Sequence, residues 1–345
     1  MSQPILQVEH LKKYFPAGGR KVLRAVDDVS FSVQEGEILG IVGESGCGKT
    51  TCGRTAIGLY SKTDGVSLYR GEDIHRMRGA KRRAFCCQVQ TVFQDPYASL
   101  DPKNKVIDLI AEGMDIHHLY ASQAERREKV QALMEQVGLN PSGIDRYPYE
   151  FSGGMRQRIV IAIALAANPD ILICDEPTTA LDVTIQSQIL ELINKLKRER
   201  QLSVIFITHD LGVVANMADR VAVMYAGKIV EYGTAEDIFY RAAHPYTWAL
   251  MSSMPDLDTN EKLEAIPGTP PNMIYPPVGD AFAARNKYAM QIDFEQQPPM
   301  FQISDTHYAA TWLLHPDAPK VEMPKIIVDR IRRMKEKNGG AADGE

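Results

Sequence analysis

The stretch Gly43-Glu44-Ser45-Gly46-Cys47-Gly48-Lys49-Thr50 fits G-x-x-x-x-G-K-[ST]. That pattern builds a phosphate-binding loop when a buried strand precedes it and a helix follows. Ile38-Leu39-Gly40-Ile41-Val42 supplies the strand, and Thr51 to Leu59 can run as the helix. Glycines allow turns that side chains forbid, so loop N–H groups and the helix N-terminus converge on one point and attract an anion. Lys49 suits the β- and γ-phosphates of a nucleotide, and the Thr50 hydroxyl suits Mg²⁺. The expected phosphate-binding set is Gly43, Glu44, Ser45, Gly46, Cys47, Gly48, Lys49, Thr50 and Thr51.

A second pattern is Ile171-Leu172-Ile173-Cys174-Asp175-Glu176. A short apolar strand ends in two carboxylates, at the edge of a parallel sheet where ligands bind. Asp175 is expected to hold Mg²⁺ or its waters, and Glu176 to orient and polarise an attacking water. A third is Phe151-Ser152-Gly153-Gly154-Met155-Arg156-Gln157-Arg158. A hydroxyl, free N–H groups and a helix dipole make a further anion site there. In isolation Ser-Gly-Gly reads as an N-capped helix with a glycine hinge. One γ-phosphate does not need two such sites from one chain.

The elements that must position these groups alternate. Ile5 to Leu11, Val22 to Val33, Val66 to Ile74 (carrying Arg70-Gly71) and Gln88 to Phe93 read as strands. Residues 76–83 read as a basic, solvated helix face. From about 102 to 168 the pattern is helical: Val106 to Tyr120, Ser122 to Val137 with Ser122 and Glu125 as a capping box, and Met155 to Ala167. Ile171 to Cys174 and Val204 to Ile207 are continuous apolar runs, as in strands buried on both faces. The helix Val183 to Arg200 lies between them, so a parallel sheet covered by helices follows. Val221 to Tyr225 and Ile229 to Tyr232 read as a hairpin, and Ala235 to Arg241 as a short helix. After about His244, prolines at 267, 270, 271, 276, 277, 298 and 299 exclude long regular elements. Lys335 to Glu345 reads as a disordered tail.

Composition excludes several classes. A net charge of −5, from 39 basic against 44 acidic residues, gives no reason to expect a nucleic-acid partner. The five cysteines form no metal spacing or disulfide framework, which points to a reducing cytosol. No apolar run approaches ~18 residues, and Met1 to His10 lacks the signature of a signal peptide.

A phosphate loop, then Ser-Gly-Gly, then Asp-Glu resembles the nucleotide-binding subunit of ATP-binding-cassette (ABC) transporters over roughly residues 5 to 240. The resemblance implies an α/β fold: a P-loop NTPase core with a mixed sheet, an N-terminal antiparallel β subdomain, an inserted α-helical subdomain at about 102–168, and a small irregular C-terminal extension. The implied division is an ATPase domain over 1–243, an extension over 244–334 and the tail beyond. Residue by residue, the resemblance makes Gln94 the Q-loop glutamine, a ligand of Mg²⁺ and a member of the catalytic set with Glu176. Ala180-Leu181-Asp182 matches the D-loop and His209 the switch histidine. Phe15 matches the aromatic that stacks on adenine, with Tyr14 as second choice. It implies ATP and Mg²⁺ as ligands and a head-to-tail pair, each ATP lying between one chain's phosphate loop and the other's Ser152, Gly153, Gly154 and Asp182.

Phe-Ser-Gly-Gly-Met-Arg-Gln-Arg, residues 94–102, His244-Pro245-Tyr246-Thr247 and the stretch 266–271 resemble the oligopeptide, dipeptide and nickel importer branch. The implied partners are a second ATPase subunit, a paralogue by preference, two transmembrane permeases and an extracytoplasmic peptide-binding protein. The implied location is peripheral, on the cytoplasmic face of the cell membrane. Many members of that branch hold an iron–sulfur cluster on extension cysteines. The matching positions here are Asp280, Asn286, Asp293 and Thr311, and cluster iron needs soft ligands, so no cluster is expected. His307 is expected to be structural. The alternative reading is a soluble ABC-type ATPase acting on DNA or ribosomes. The short helical insertion, the lack of Cys-x-x-Cys and the single phosphate loop oppose it.

Overall fold

The computed structural model describes residues 3–179, 181–254 and 266–339. The chain begins with β1 (Leu6–Pro16), β2 (Val22–Val33) and β3 (Ile38–Val42), then α1 (Lys49–Ala56). β4 (Asp64–Tyr69), β5 (Glu72–Asp73), α2 (Gly79–Gln88), β6 (Val89–Val92) and α3 (Pro96–Ser99) follow. A helical stretch holds α4 (Val106–His117), α5 (Gln123–Gln136) and α6 (Gly153–Leu165). The chain re-enters the sheet with β7 (Ile171–Asp175), α7 (Val183–Arg200), β8 (Ser203–Thr208) and α8 (Leu211–Ala215). β9 (Arg220–Tyr225), β10 (Lys228–Thr234), α9 (Ala235–Tyr240) and α10 (Pro245–Ser252) come next. The extension adds α11 (Gln291–Glu295), β11 (Phe301–Gln302), β12 (Tyr308–Ala309) and α12 (Lys325–Gly339).

The main sheet has the order β11-β12-β10-β9-β3-β8-β7-β6. Its centre, β9-β3-β8-β7-β6, is parallel, and β10, β12 and β11 join by antiparallel pairing, so the sheet is mixed. A second, antiparallel sheet runs β2-β1-β4-β5. The period-two alternation of strands sends neighbouring residues to opposite faces. Ile38, Val42, Leu172, Cys174, Val204 and Phe206 therefore enter one core, roofed by α4 to α7, α9 and α10. Leu39, Ile41, Ile171, Ile173, Ile205 and Ile207 enter the other, under β1, β2 and α1. The apolar runs were those of strands buried on both sides, as their composition implied.

Four local expectations change. The strand expected over 66–74 breaks at Arg70-Gly71, where φ values of 46° and 82° make the turn of a β4–β5 hairpin. The capping box of α5 is half formed: the Glu125 N–H donates to Ser122 Oγ, but the Glu125 carboxylate accepts from Ala121 N–H. The basic stretch is not simply solvated, because Arg82 donates to the Gly58 carbonyl past the end of α1. Helix α12 occupies 325–339, so the tail expected from 335 is helical through Gly339; residues 340–345 lie outside the described residues. Its Ile327 and Ile331, one turn apart, are buried, and Arg330 donates to the Met254 carbonyl after α10.

Phe206 sits on β8, at the centre of the sheet and fully buried. Phe206→Ala should cost about 3–5 kcal/mol of stability, read as a lowered denaturation midpoint; a loss below about 1 kcal/mol would contradict the packing described.

Candidate functional site

β3 and β7 are two positions apart in the sheet, with β8 between them, and their C-terminal ends open on the same edge. The order brings Thr50 to Asp175. Thr50 Oγ1 donates to Asp175 Oδ1 at 2.7 Å, across 125 residues of sequence. The other Asp175 oxygen takes Arg54 Nη2 at 3.2 Å, and the carboxylate is almost wholly buried. Lys49 is buried too, its Nζ donating to the carbonyls of Gly43 at 2.8 Å and Glu44 at 3.0 Å. The ammonium thereby ties the loop into a ring. Gly48, at φ 102°, leads into α1; a side chain there would strike the Ala25 carbonyl at 2.2 Å. No side chain caps α1 and no acidic residue lies in its first turn, so its N–H donors and dipole are left for an anion.

Glu176 takes the left-handed conformation, φ 49°, uncommon for such a residue. The Glu176 N–H donates to the Ile207 carbonyl. Its Oε2 accepts from Gln94 Nε2 at 3.2 Å and Thr179 Oγ1 at 3.0 Å, and lies 3.4 Å from His209 Nδ1. Gln94, Glu176 and His209, separate in sequence, thus meet. Since the Gln94 nitrogen serves Glu176, its carbonyl oxygen is left to accept or to ligate.

Of these groups Gly48, Lys49, Thr50, Gln94 and Glu176 open on a cavity of about 550 Å³, whereas Gly43, Asp175 and His209 are not among its walls. Phe15, Ser45, Gly46, Gly48, Lys49, Thr50, Thr51, Gln94 and Glu176 line it. Several expected residues do not. Glu44 turns its carboxylate to Arg285, at 2.6 and 2.9 Å. The Cys47 thiol is buried, and burial pushes its pKa up. Tyr14 gives its hydroxyl to Asp27; desolvation, then that bond, raise its pKa to about 12. Phe15 is therefore the aromatic at the cavity, held edge-to-face on Tyr60. Lining residues that motif reading missed include Arg24, Gly227 and Pro271-Asn272-Met273. Only the chain's path brings them there; no spacing signals them.

Ser152, Gly153, Gly154 and Asp182 are not among the cavity's walls. Ser152 is the N-cap of α6, its Oγ accepting from Met155 N–H at 3.4 Å, and Asp182 caps α7 through the Ile185 N–H at 3.0 Å. The helix starts at Gly153, two residues earlier than expected. Gly154 has no room for a side chain, since a Cβ would lie 2.5 Å from Ile185 Cγ2. At Gly153 a Cβ would make only ordinary contacts, with Tyr97 Oη at 3.8 Å and Leu181 Cδ2 at 4.0 Å. Ser152 is exposed, and this second anion site lies outside the cavity of the chain's own phosphate loop. Ala180 lies outside the described residues.

In the extension, Asp280, Asn286, Asp293 and Thr311 are all buried. Each side-chain oxygen accepts from a nearby backbone N–H: Phe282, Tyr288, Met290 and Leu313 respectively. Two carboxylates, an amide and a hydroxyl do not suit cluster iron. His307 is buried against Glu231 at 2.8 Å, a structural pair.

The ABC transporter family matches residues 26–179, and the C-terminal region of oligopeptide/dipeptide transporters matches residues 230–292. The oligopeptide transport ATP-binding protein OppD of Bacillus subtilis is 50% identical over 96% of this chain and 94% of its own. The chain belongs to the ABC transporter family. OppF of the same organism, also an oligopeptide transport ATP-binding protein, is 49% identical over 74% of this chain and 84% of its own. Among solved structures, the dimeric ATP-binding cassette MJ0796 bound to ADP and Pi superposes with a TM-score of 0.61 at 26% identity, over 67% of this chain and 98% of that one. The chain is thus an ABC-type ATPase cassette with the extension of the peptide branch. Among its described residues, no helix is long and apolar enough to cross a membrane.

Burial raises the Asp280 pKa from 3.8 to about 6. The folded chain keeps that proton where the unfolded chain has lost it, so the stability of the neutral form is lost as pH rises from about 4 through about 6. Asp280→Asn keeps the acceptor for the Phe282 N–H. It should stabilise the chain at pH 7 by on the order of 1–3 kcal/mol and leave it unchanged below about pH 4, measured by melting across that range; a gain independent of pH would contradict the assignment.

Proposed function

We propose that this chain is the ATP-hydrolysing subunit that powers a membrane importer for oligopeptides or dipeptides. The observation that carries the reading is that Lys49, Thr50, Gln94 and Glu176 line one cavity, with Asp175 bonded to Thr50 and His209 beside Glu176. The N–H groups of the 43–51 loop receive the phosphates, Lys49 neutralises the β- and γ-phosphates, and Phe15 stacks on adenine. The oxygens of Thr50, Gln94 and Asp175 are the hard donors Mg²⁺ prefers, and the Thr50–Asp175 contact already gathers two of them. Bound there, Mg²⁺ would offset charge on the phosphates.

Glu176 positions the water for in-line attack and receives its proton, while Gln94 and Thr179 fix the carboxylate's aim. His209, beside Glu176, contacts the γ-phosphate. Positioning and electrostatics supply most of such catalysis. The exposed Ser152 and Asp182, with Gly153 and Gly154, serve a second cassette, whose own set completes this site. The dimeric structure of MJ0796 is consistent with that arrangement. OppD and OppF of one organism both resemble this chain, which supports a paralogue as partner. The other partners are two permeases and an extracytoplasmic peptide-binding protein. The ATPase domain spans 1–243, with its helical insertion at 102–168 on the permeases, and the extension spans 244–334. The complex places the chain on the cytoplasmic face of the membrane.

Glu176→Gln should bind ATP as the parent does yet lose turnover by ~10²-fold or more, measured by phosphate release beside nucleotide binding. Turnover near the parent's would remove Glu176 from this role.

A further inference from the structure

The extension reaches the phosphate loop from outside the ATPase core. Arg285, almost fully buried, places two nitrogens on the two oxygens of Glu44, at 2.6 and 2.9 Å. Such a fork is directional and strong, and is held against rotation here by two further bonds. Arg285 Nε donates to the Pro267 carbonyl at 2.7 Å and Nη1 to Tyr225 Oη at 3.1 Å. The Glu44 N–H donates to Tyr246 Oη at 2.9 Å, and its carbonyl accepts from Lys49 Nζ. Every polar group of Glu44 is therefore engaged, by Arg285, Tyr246, the phosphate-binding lysine and the Cys47 N–H.

The same extension forms a wall. Pro271, Asn272 and Met273 line the cavity that Phe15 and Lys49 line. The Arg24 N–H donates to the Met273 carbonyl at 3.1 Å, and Lys21 sits over the Tyr275 ring at 5.0 Å, so this stretch is pinned beside the start of β2. In the β1–β2 register Phe15 faces Leu23, next to that anchor. The wall therefore stands at the Phe15 end of the cavity. Asn272 Oδ1 accepts from the Ile274 N–H at 2.9 Å, which identifies its carbonyl and leaves its NH₂ to donate.

We propose that the extension completes the nucleotide site of its own chain: residues 271–273 wall the base-and-ribose end, and Arg285 is a positioning residue that holds the phosphate loop through Glu44. The inference rests on the reading of the cavity as the ATP site. The Asn272 NH₂ donates to a ring nitrogen of adenine or a ribose oxygen. Because docking of the extension and binding of nucleotide share these contacts, each favours the other.

The test uses the full chain with Mg²⁺ and 2-azido-ATP, irradiated, digested and mapped by mass spectrometry. Label should fall on the peptide holding 271–273 as well as near Phe15. MgATP affinity, by calorimetry, should weaken roughly tenfold in Arg285→Met and in Glu44→Gln, and no further in the double variant. In the assembled ATPase the loss should appear in KM with kcat little changed, which a general weakening of the fold would not produce. Absence of label on 271–273 overturns the proposal even if Arg285→Met fails to fold; additive losses in the double variant overturn the clamp. Lys49→Ala separates the two readings: unchanged ATP affinity in that variant would remove the cavity as the ATP site, whereas lost affinity beside an unlabelled 271–273 would remove only the extension from it.

Discussion

The hydrogen bond from Thr50 to Asp175 joins the two strand ends on which the site is built. It exists because β8 alone separates β3 from β7, so loops leaving those strands emerge side by side. Each strand is buried on both faces, and the sheet cannot shift register without exposing a core face. The rigidity that holds a hydroxyl and a carboxylate at 2.7 Å is thus a product of packing on two sides. Glu176, one residue past Asp175, inherits its place from that anchor, and its left-handed backbone turns the carboxylate toward Gln94 and His209.

The chain carries two anion-receiving helix ends on different surfaces. The N-terminus of α1 opens on the cavity, while that of α6 is exposed and lies outside its walls. The close approach of Gly154 to Ile185 packs α6 against α7, which sets the Ser-Gly-Gly end beside the helix that Asp182 caps. In the proposed head-to-tail pair the α1 end would be the receiving site and the α6 end the completing face. The extension adds a third contributor, reaching the loop through Arg285.

How much could be read from residues alone depended on whether the partners were written into one motif. The phosphate loop, the strand-end carboxylates and the Ser-Gly-Gly helix were legible because strand, turn and helix follow one another locally. That Gln94 and His209 join Glu176 was legible only through resemblance to a family. Glu44 and Cys47 were grouped with the ligands by motif position, yet side-chain direction in a loop is settled by tertiary neighbours, and Glu44 had Arg285 as its neighbour. Arg70-Gly71 lacks the Asn-Gly or Asp-Gly cue of a tight hairpin, so β4 and β5 read as one strand. Helix α12 was overshadowed by the prolines before it, although Ile327 and Ile331 stand at helical spacing.

In the proposed pair one chain holds only part of each nucleotide site and a second cassette supplies the rest. The direct measurement is ATP turnover per chain against chain concentration, made with the parent cassettes and again with Ser152→Arg in every cassette present. The account predicts that specific activity rises with concentration as cassettes pair, and that the substitution abolishes it while ATP still binds. Specific activity that is independent of concentration and unchanged by the substitution would contradict it.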